Sequence, residues 1–238
     1  MKDEIASPDY AGYCFPPAII SYAVWLYFRF ALSYRDVEEL LAERGVCVTD
    51  ETIRQWCQKF GQRYANALRR RRPRPGDKWH LDEVFITING QGRYRWRAVD
   101  QDGTMLDTLV QSRRNKRAAQ KFFRRLLKRL QYVPRVLITD KLASDDAARR
   151  ESLPSVEHRR HKGLNNRAEN SHQPTRERER RMRRFTSPGH AQRFLAAYGP
   201  IVGHCRPRRH RLTATAYRQH RNAAFATWRE VAGVAVAA

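Results

Sequence analysis

The hydrophobic period of this chain changes once, and the change falls on a basic, proline-broken run, RRRRPRPG at 69–76. Before it, apolar residues recur every three or four positions. After it they alternate or cluster in short blocks, the signature of strands. A chain with such a break folds as an all-helical module followed by one built on a sheet, and the run between them reads as a linker. Residues 15–68 are therefore expected to form one domain, 69–76 a basic linker and 77–205 a second domain. Residues 206–238 are expected as a basic, then Ala-rich tail of no assigned structure.

In the first module, Ile19, Ile20, Ala23, Val24, Tyr27 and Phe28 mark one helix. Ser33 with Asp36 makes an N-cap pair for a second, Tyr34 to Arg44, which Gly45 ends. Thr49 caps a third, with Asp50 and Glu51 in its first turn and Ile53, Trp56 and Phe60 on its buried side. Two helices joined by a short Gly-containing turn give the helix-turn-helix arrangement, whose second helix enters the major groove. Arg54, Gln55 and Lys59 face outward there as candidate DNA contacts, although a generic bundle with solvated charges fits the same pattern. Charge favours DNA: 47 Lys and Arg against 24 Asp and Glu leave +23, a field that draws polyanions. The four cysteines lie far apart with no C-x-x-C pair, so neither a disulfide framework nor a zinc ribbon is expected. The most apolar stretch, 18–28, is too short to span a bilayer, so no membrane partner is expected and the setting is the cytoplasm.

The second module predicts a strand from Trp79 to Ile88, a hairpin turn at Asn89-Gly90, and strands at Arg93–Val99 and Met105–Gln111. A helix follows from Lys116 to Leu130, with Phe122, Phe123 and Leu126 on its buried side. Val136–Ile138 is a short apolar strand ending in Thr139-Asp140. Another short strand is expected near Val156, a highly charged helix over 166–184, and a last helix over Ala191–Val202. Three antiparallel strands, a helix and a strand that needs a crossover predict a mixed α/β sheet flanked by helices.

Two carboxylates stand out in this frame. Asp82 interrupts an otherwise apolar strand, which reads as central and buried on both faces; a charge there is costly unless paired or metal-bound. Asp140 ends the apolar strand, where open sheets gather their active sites. If the two strands are neighbours, Asp82 and Asp140 point at one spot and need a cation between them. Oxygen-only ligands favour Mg²⁺ or Mn²⁺ over zinc. Glu169, the first acid of the charged helix, is the candidate third ligand.

The segments HLDEVFITING, RYRWRAVDQDG, SRRNKRAAQKFF, ITDK and VEHRRHKGLNNRAENSHQPTRERERRMRRF resemble the bacterial insertion-sequence-six transposases, and LSYRDVEELLAERG resembles that family's helix-turn-helix region. The resemblance covers about residues 15–205. It implies a DDE enzyme: a ribonuclease-H-like core, preceded by a small helix-turn-helix domain, with Asp82, Asp140 and Glu169 as the catalytic, metal-binding triad. It also implies two Mg²⁺ ions (Mn²⁺ substituting), nicking of 3′ ends and strand transfer by replicative, cointegrate-forming transposition. The partners implied are the element's terminal inverted repeats and target DNA, held by at least a homodimer at the bacterial nucleoid. Lys141, Asn166 and Arg167 are the expected DNA contacts near the site, with His172 on the helical face of Glu169 to meet a phosphate or orient water. Arg178 belongs to an arginine run interleaved with Glu177 and Glu179, read as tracking phosphates or as a solvated, salt-bridged face. Two departures leave an impaired copy as an alternative, beside the rival reading of a non-catalytic helix-turn-helix regulator. Only 28 residues separate Asp140 from Glu169, fewer than is common in the family. Ser144-Asp145-Asp146 stands where relatives carry an aromatic and a glycine, and either extra acid is an alternative ligand.

Overall fold

The computed structural model describes residues 8–139, 150–160, 173–182, 185–206 and 212–234. The described elements run α1 (Pro17–Arg29), α2 (Tyr34–Ala42), α3 (Asp50–Arg71), β1 (Lys78–Ile88), β2 (Gln91–Asp100), β3 (Met105–Gln111), α4 (Lys116–Leu130), β4 (Val136–Thr139), β5 (Glu157–Arg160), α5 (Gln173–Arg181), α6 (Pro188–His204) and α7 (Ala214–Val231). They form two compact units. One comprises residues up to Arg72 together with those from Ala196 on; the other is Pro73–Leu195.

The helical unit is punctuated as its caps dictate. At the start of α2 the Ser33 N–H donates to the Asp36 carboxylate (2.8 Å), and the Asp36 N–H donates to the Ser33 hydroxyl (3.0 Å), a complete capping box. Beyond α2, Val46 N–H donates to the Leu41 carbonyl and Gly45 N–H to that of Ala42, with Gly45 at φ +75°. This is the Schellman closure, which needs a left-handed residue. Thr49 accepts from the Thr52 N–H to open α3. That helix runs on through Arg69–Arg71, so the first part of the expected linker is helical. Arginine does not break a helix; Pro73 does, by forcing Arg72 into an extended conformation (φ −69°, ψ 150°).

Residues 214–231, expected as an unassigned tail, form α7 and belong to the helical unit. Trp228 is buried edge-on to Tyr64 of α3, with ring centroids 5.2 Å apart. Tyr64 donates to the Tyr10 hydroxyl (2.6 Å), which donates to the Ala232 carbonyl (2.6 Å). Burial raises the pKa of both phenols. Among the described residues no helix is long and apolar enough to cross a membrane.

The second unit holds a five-stranded sheet in the order β3-β2-β1-β4-β5. The β1–β2 and β2–β3 pairs are antiparallel, and β1–β4 and β4–β5 are parallel. This is the expected mixed sheet, of ribonuclease-H-like type. Asn89 and Gly90 both take positive φ (48° and 75°), the type I′ turn that matches strand twist. Trp79, Leu81, Trp96, Ala98 and Leu137 pack from one sheet face onto Phe122, Phe123 and Leu126 of α4. On the edge strand β3, Asp107 is 1% exposed and accepts from Arg125 (2.8 Å) and Arg129 (2.8 Å), tying α4 to the sheet. Gln192 of α6 covers that same edge, accepting from the Val110 N–H and donating to the Thr108 carbonyl.

Two expectations change in extent. Strand β1 is buried on both faces only over Trp79–Leu81, because the four-residue β4 pairs with it at just three positions, Lys78 to His80. Farther out it forms a ribbon with β2, and Phe85 is 61% exposed. Of the charged helix expected over 166–184, Gln173–Arg181 is described; the rest lies outside the described helix.

Removing one partner from a buried ion pair leaves the other charges without compensation. Asp107→Ala should therefore lower unfolding stability by about 3 kcal/mol in urea denaturation. A loss under about 1 kcal/mol would show that the Arg125 and Arg129 contacts are dispensable.

Candidate active site

Alternation along β1 sends Trp79, Leu81 and Glu83 toward α4 and His80, Asp82 and Val84 to the opposite face. The register sets Asp82 across from Arg97, and Val84 across from Arg95, on that opposite face. Both arginines are buried (7% and 4% exposed), and Thr108 of β3 continues the row beyond Arg97. Arg95 donates to the Thr108 hydroxyl (3.3 Å), which donates to the Trp96 carbonyl (3.1 Å). Asp82 is half-buried, and its carboxylate accepts the Glu83 N–H at 2.7 Å. By register it lies on the same face as Arg97, one strand away.

Strand β4 lies parallel to β1, with Trp79 opposite Leu137 and His80 opposite Ile138. All four of its residues are buried, and the Thr139 hydroxyl is 2.8 Å from Nε2 of His158 on β5. The carboxyl end of β4 therefore lies beside the stretch of β1 that carries Asp82. Asp140, the next residue of the chain, lies outside the described residues, as do Glu169, Lys141, Asn166, Arg167, His172, Asp145 and Asp146. Among the described residues no three His, Cys, Asp or Glu side chains converge as a metal site, and Asp82 is the one expected ligand that is described. Its donor chemistry, a carboxylate oxygen in the middle of β1, suits a hard divalent cation.

A family model described as a DDE domain matches residues 76–206. The transposase of the insertion-sequence-like element IS431mec from Staphylococcus aureus is 33% identical over 159 residues, 65% of this chain and 70% of that protein. The chain belongs to the insertion-sequence-six family of DDE transposases. The Staphylococcus aureus IS257 transposase of transposon Tn4003 matches to the same extent. Among solved structures, the catalytic core domain of BIV integrase overlaps 64% of this transposase and 99% of that chain, at 15% identity and a TM-score of 0.42. The Mos1 mariner transposase catalytic domain overlaps 73% and 92%, at 14% identity and a TM-score of 0.40. Overlaps that loose carry nothing beyond themselves; strand order defines the fold here.

Other expected contacts divide. Arg178 is only 1% exposed, and its guanidinium lies 5.8 Å from the Phe194 ring centroid, so it packs the transposase interior and leaves the set of surface DNA contacts. Its place in a run of alternating charges hid this, because α5 buries one side of that run. On α3, Arg54 and Gln55 both bind the Glu51 carboxylate (2.5–2.6 Å and 3.1 Å), and Lys59 lies 4.3 Å from the Tyr13 ring centroid. All three remain at least partly accessible. Nothing in the sequence marks Glu83, whose side chain is 3% exposed and 3.0 Å from Arg114 Nε. The burial of Arg95 and Arg97 is likewise unmarked, since alternating arginines in a strand look the same whether solvent or protein covers them.

Hydrogen bonds from Arg54 and then Gln55 pull the Glu51 pKa from 4.5 down to about 2. A depressed carboxylate contributes stability above its unfolded pKa and loses it as pH falls through the folded one, here between about 4.5 and 2. An NMR titration should put the Glu51 midpoint near 2 and return it toward 4.5 in Arg54→Ala; an unmoved midpoint would contradict the pairing.

Proposed function

We propose that this transposase binds the terminal inverted repeats of its element through the helical unit, nicks the DNA 3′ ends and joins them to target DNA. The observation that carries this reading is the parallel β1–β4 register. His80 lies opposite Ile138, and each is followed two residues later in the chain by an aspartate, Asp82 and Asp140. In a parallel pair, residues at equal distance beyond a matched position come side by side. Asp82 and Asp140, with Glu169 as third ligand, would then hold two Mg²⁺ ions, or Mn²⁺ in their place. Ions so placed would lower the pKa of a water or 3′-hydroxyl and stabilise the leaving oxygen in an in-line displacement.

The protein's own part is positional. Arg97 and Arg95 are proposed to supply positive charge on the face of Asp82, while α4 covers the opposite face. Outside the sheet, Lys141, Asn166, Arg167 and His172 are proposed to meet DNA near the ions. In the helical unit, α2 and α3 are proposed as the helix-turn-helix, with the α3 residues Arg54, Gln55 and Lys59 facing the groove. The connection between these helices, residues 43–49, is longer than the three or four residues of a minimal helix-turn-helix. Two element ends must be joined in one event, so the active complex is proposed to be at least a homodimer, acting in the cytoplasm on replicative, cointegrate-forming transposition.

Purified protein with its native flanking DNA and Mg²⁺ tests this. Wild type should cut at the element end, and Asp82→Asn should bind with unchanged affinity and not cut. Cleavage retained in Asp82→Asn would overturn the assignment of that residue. Binding without cleavage by both proteins would favour a non-catalytic DNA-binding role.

A further inference from the structure

From residue 180 to residue 229 the chain has no Asp or Glu and twelve arginines. Internal carboxylates close to them in sequence therefore cannot neutralise them, and the helical unit shows the consequence. On α7, Arg218, Asn222 and Arg229 are exposed and fall within roughly 40° of one another around the axis. Arg221 borders them, also exposed, with its guanidinium 5.8 Å from the Tyr217 ring centroid and 5.9 Å from that of Phe225. Two ring faces on its own helix thus hold this fork in place without an acid. Arg29, at the end of α1, is half-buried near Tyr217 and Arg206, and burial first and Arg206 second lower its pKa. Among the described residues neither Arg29, Arg206, Arg218 nor Arg221 forms an ion pair with a carboxylate. The one acid of α7, Glu230, is bound to Arg71 at 2.7 Å.

An arginine cluster with no internal counter-charge is a surface waiting for an external polyanion. Arg218 and Arg229 lie about 16 Å apart along the helix, more than the ~12 Å width of the major groove, so they can reach phosphates on both of its sides. Arginine forks match phosphate geometry, and phosphate contacts position a protein without reading sequence.

We propose that α7, with Arg29 and Arg206 beside it, is a second DNA-contacting surface of the transposase, which grips the phosphate backbone of duplex DNA irrespective of sequence. The proposal rests on the DNA-binding reading above and adds to the groove-reading α3 a partner whose task is affinity.

Binding of the full-length protein to a duplex bearing the element end, and to an unrelated duplex of equal length, tests it across a salt series. Each phosphate contact contributes about 0.9 to the slope of log affinity against log salt. Arg218→Gln with Arg221→Gln should flatten the slope by about 2 and weaken both duplexes alike, leaving their ratio unchanged. Arg218→Lys with Arg221→Lys should restore most of the slope. Arg124→Gln with Lys128→Gln, the same charge change on exposed positions of α4, should leave it nearly unaltered. Unchanged melting temperatures would show that the variants fold. An unaltered slope in the α7 variant, or an equal loss in the α4 variant, would overturn the proposal. Wild-type protein that bound neither duplex would overturn the DNA-binding reading and this surface with it. A loss confined to the element-end duplex would assign α7 to sequence reading and contradict the backbone grip.

Discussion

A parallel strand pair cannot be closed by a hairpin, so the chain between Ile88 and Val136 must cross the sheet before β4 can lie beside β1. It uses β2, β3 and α4 to do so. Helix α4 thereby becomes the cover of one sheet face, where Phe122, Phe123 and Leu126 meet Trp79, Trp96 and Leu137. Asp107 fixes that cover by holding two of its arginines. The side opposite α4 carries His80, Asp82, Arg95 and Arg97 of β1 and β2. The same pairing aligns the carboxyl end of β4 with the middle of β1, and the proposed metal ligands are the acids at those two places. One register thus sets the core, the cover and the site.

Charge is divided between the units by chemistry. In the sheet unit Arg95 and Arg178 are buried, Arg95 donating to the Thr108 hydroxyl and Arg178 lying over the Phe194 ring. In the helical unit, arginines of α7 stand exposed and, among the described residues, unmatched by carboxylates, the condition under which they exchange counterions for phosphates. The affinity for DNA and the geometry of the proposed site therefore rest on different arginines. This is why net charge alone pointed to nucleic acid and could not say which residues meet it.

Much of the fold was legible because its signals are local. The Ser33–Asp36 box, the Gly45 closure and the Asn89-Gly90 turn each depend on a few adjacent residues, and each forms as the sequence implies. The strand order was legible only as a class, since a crossover was evident from the chain while its neighbours were not. What escaped was set by tertiary contact. Helix α7 was hidden because alanines blur its apolar period, and only Trp228, Val231 and Phe225 carry the pattern. The buried state of Arg95, Arg97 and Arg178 was hidden because an alternating charged strand or helix looks the same whether solvent or protein covers it. Of the candidate site, Asp82 was marked by its apolar surroundings and the end of β4 by its brevity. The ion pair of Glu83 with Arg114 gave no sign, because it joins residues far apart in the chain.

The central claim is that Asp82 and Asp140 share one cation. Iron-directed backbone cleavage measures that sharing directly: Fe²⁺ loaded in place of the native ion, with ascorbate and peroxide, cuts the chain next to the metal. The account predicts cuts beside both Asp82 and Asp140 that Mg²⁺ competes away. Cuts at only one of the two positions, or cuts indifferent to Mg²⁺, would contradict it.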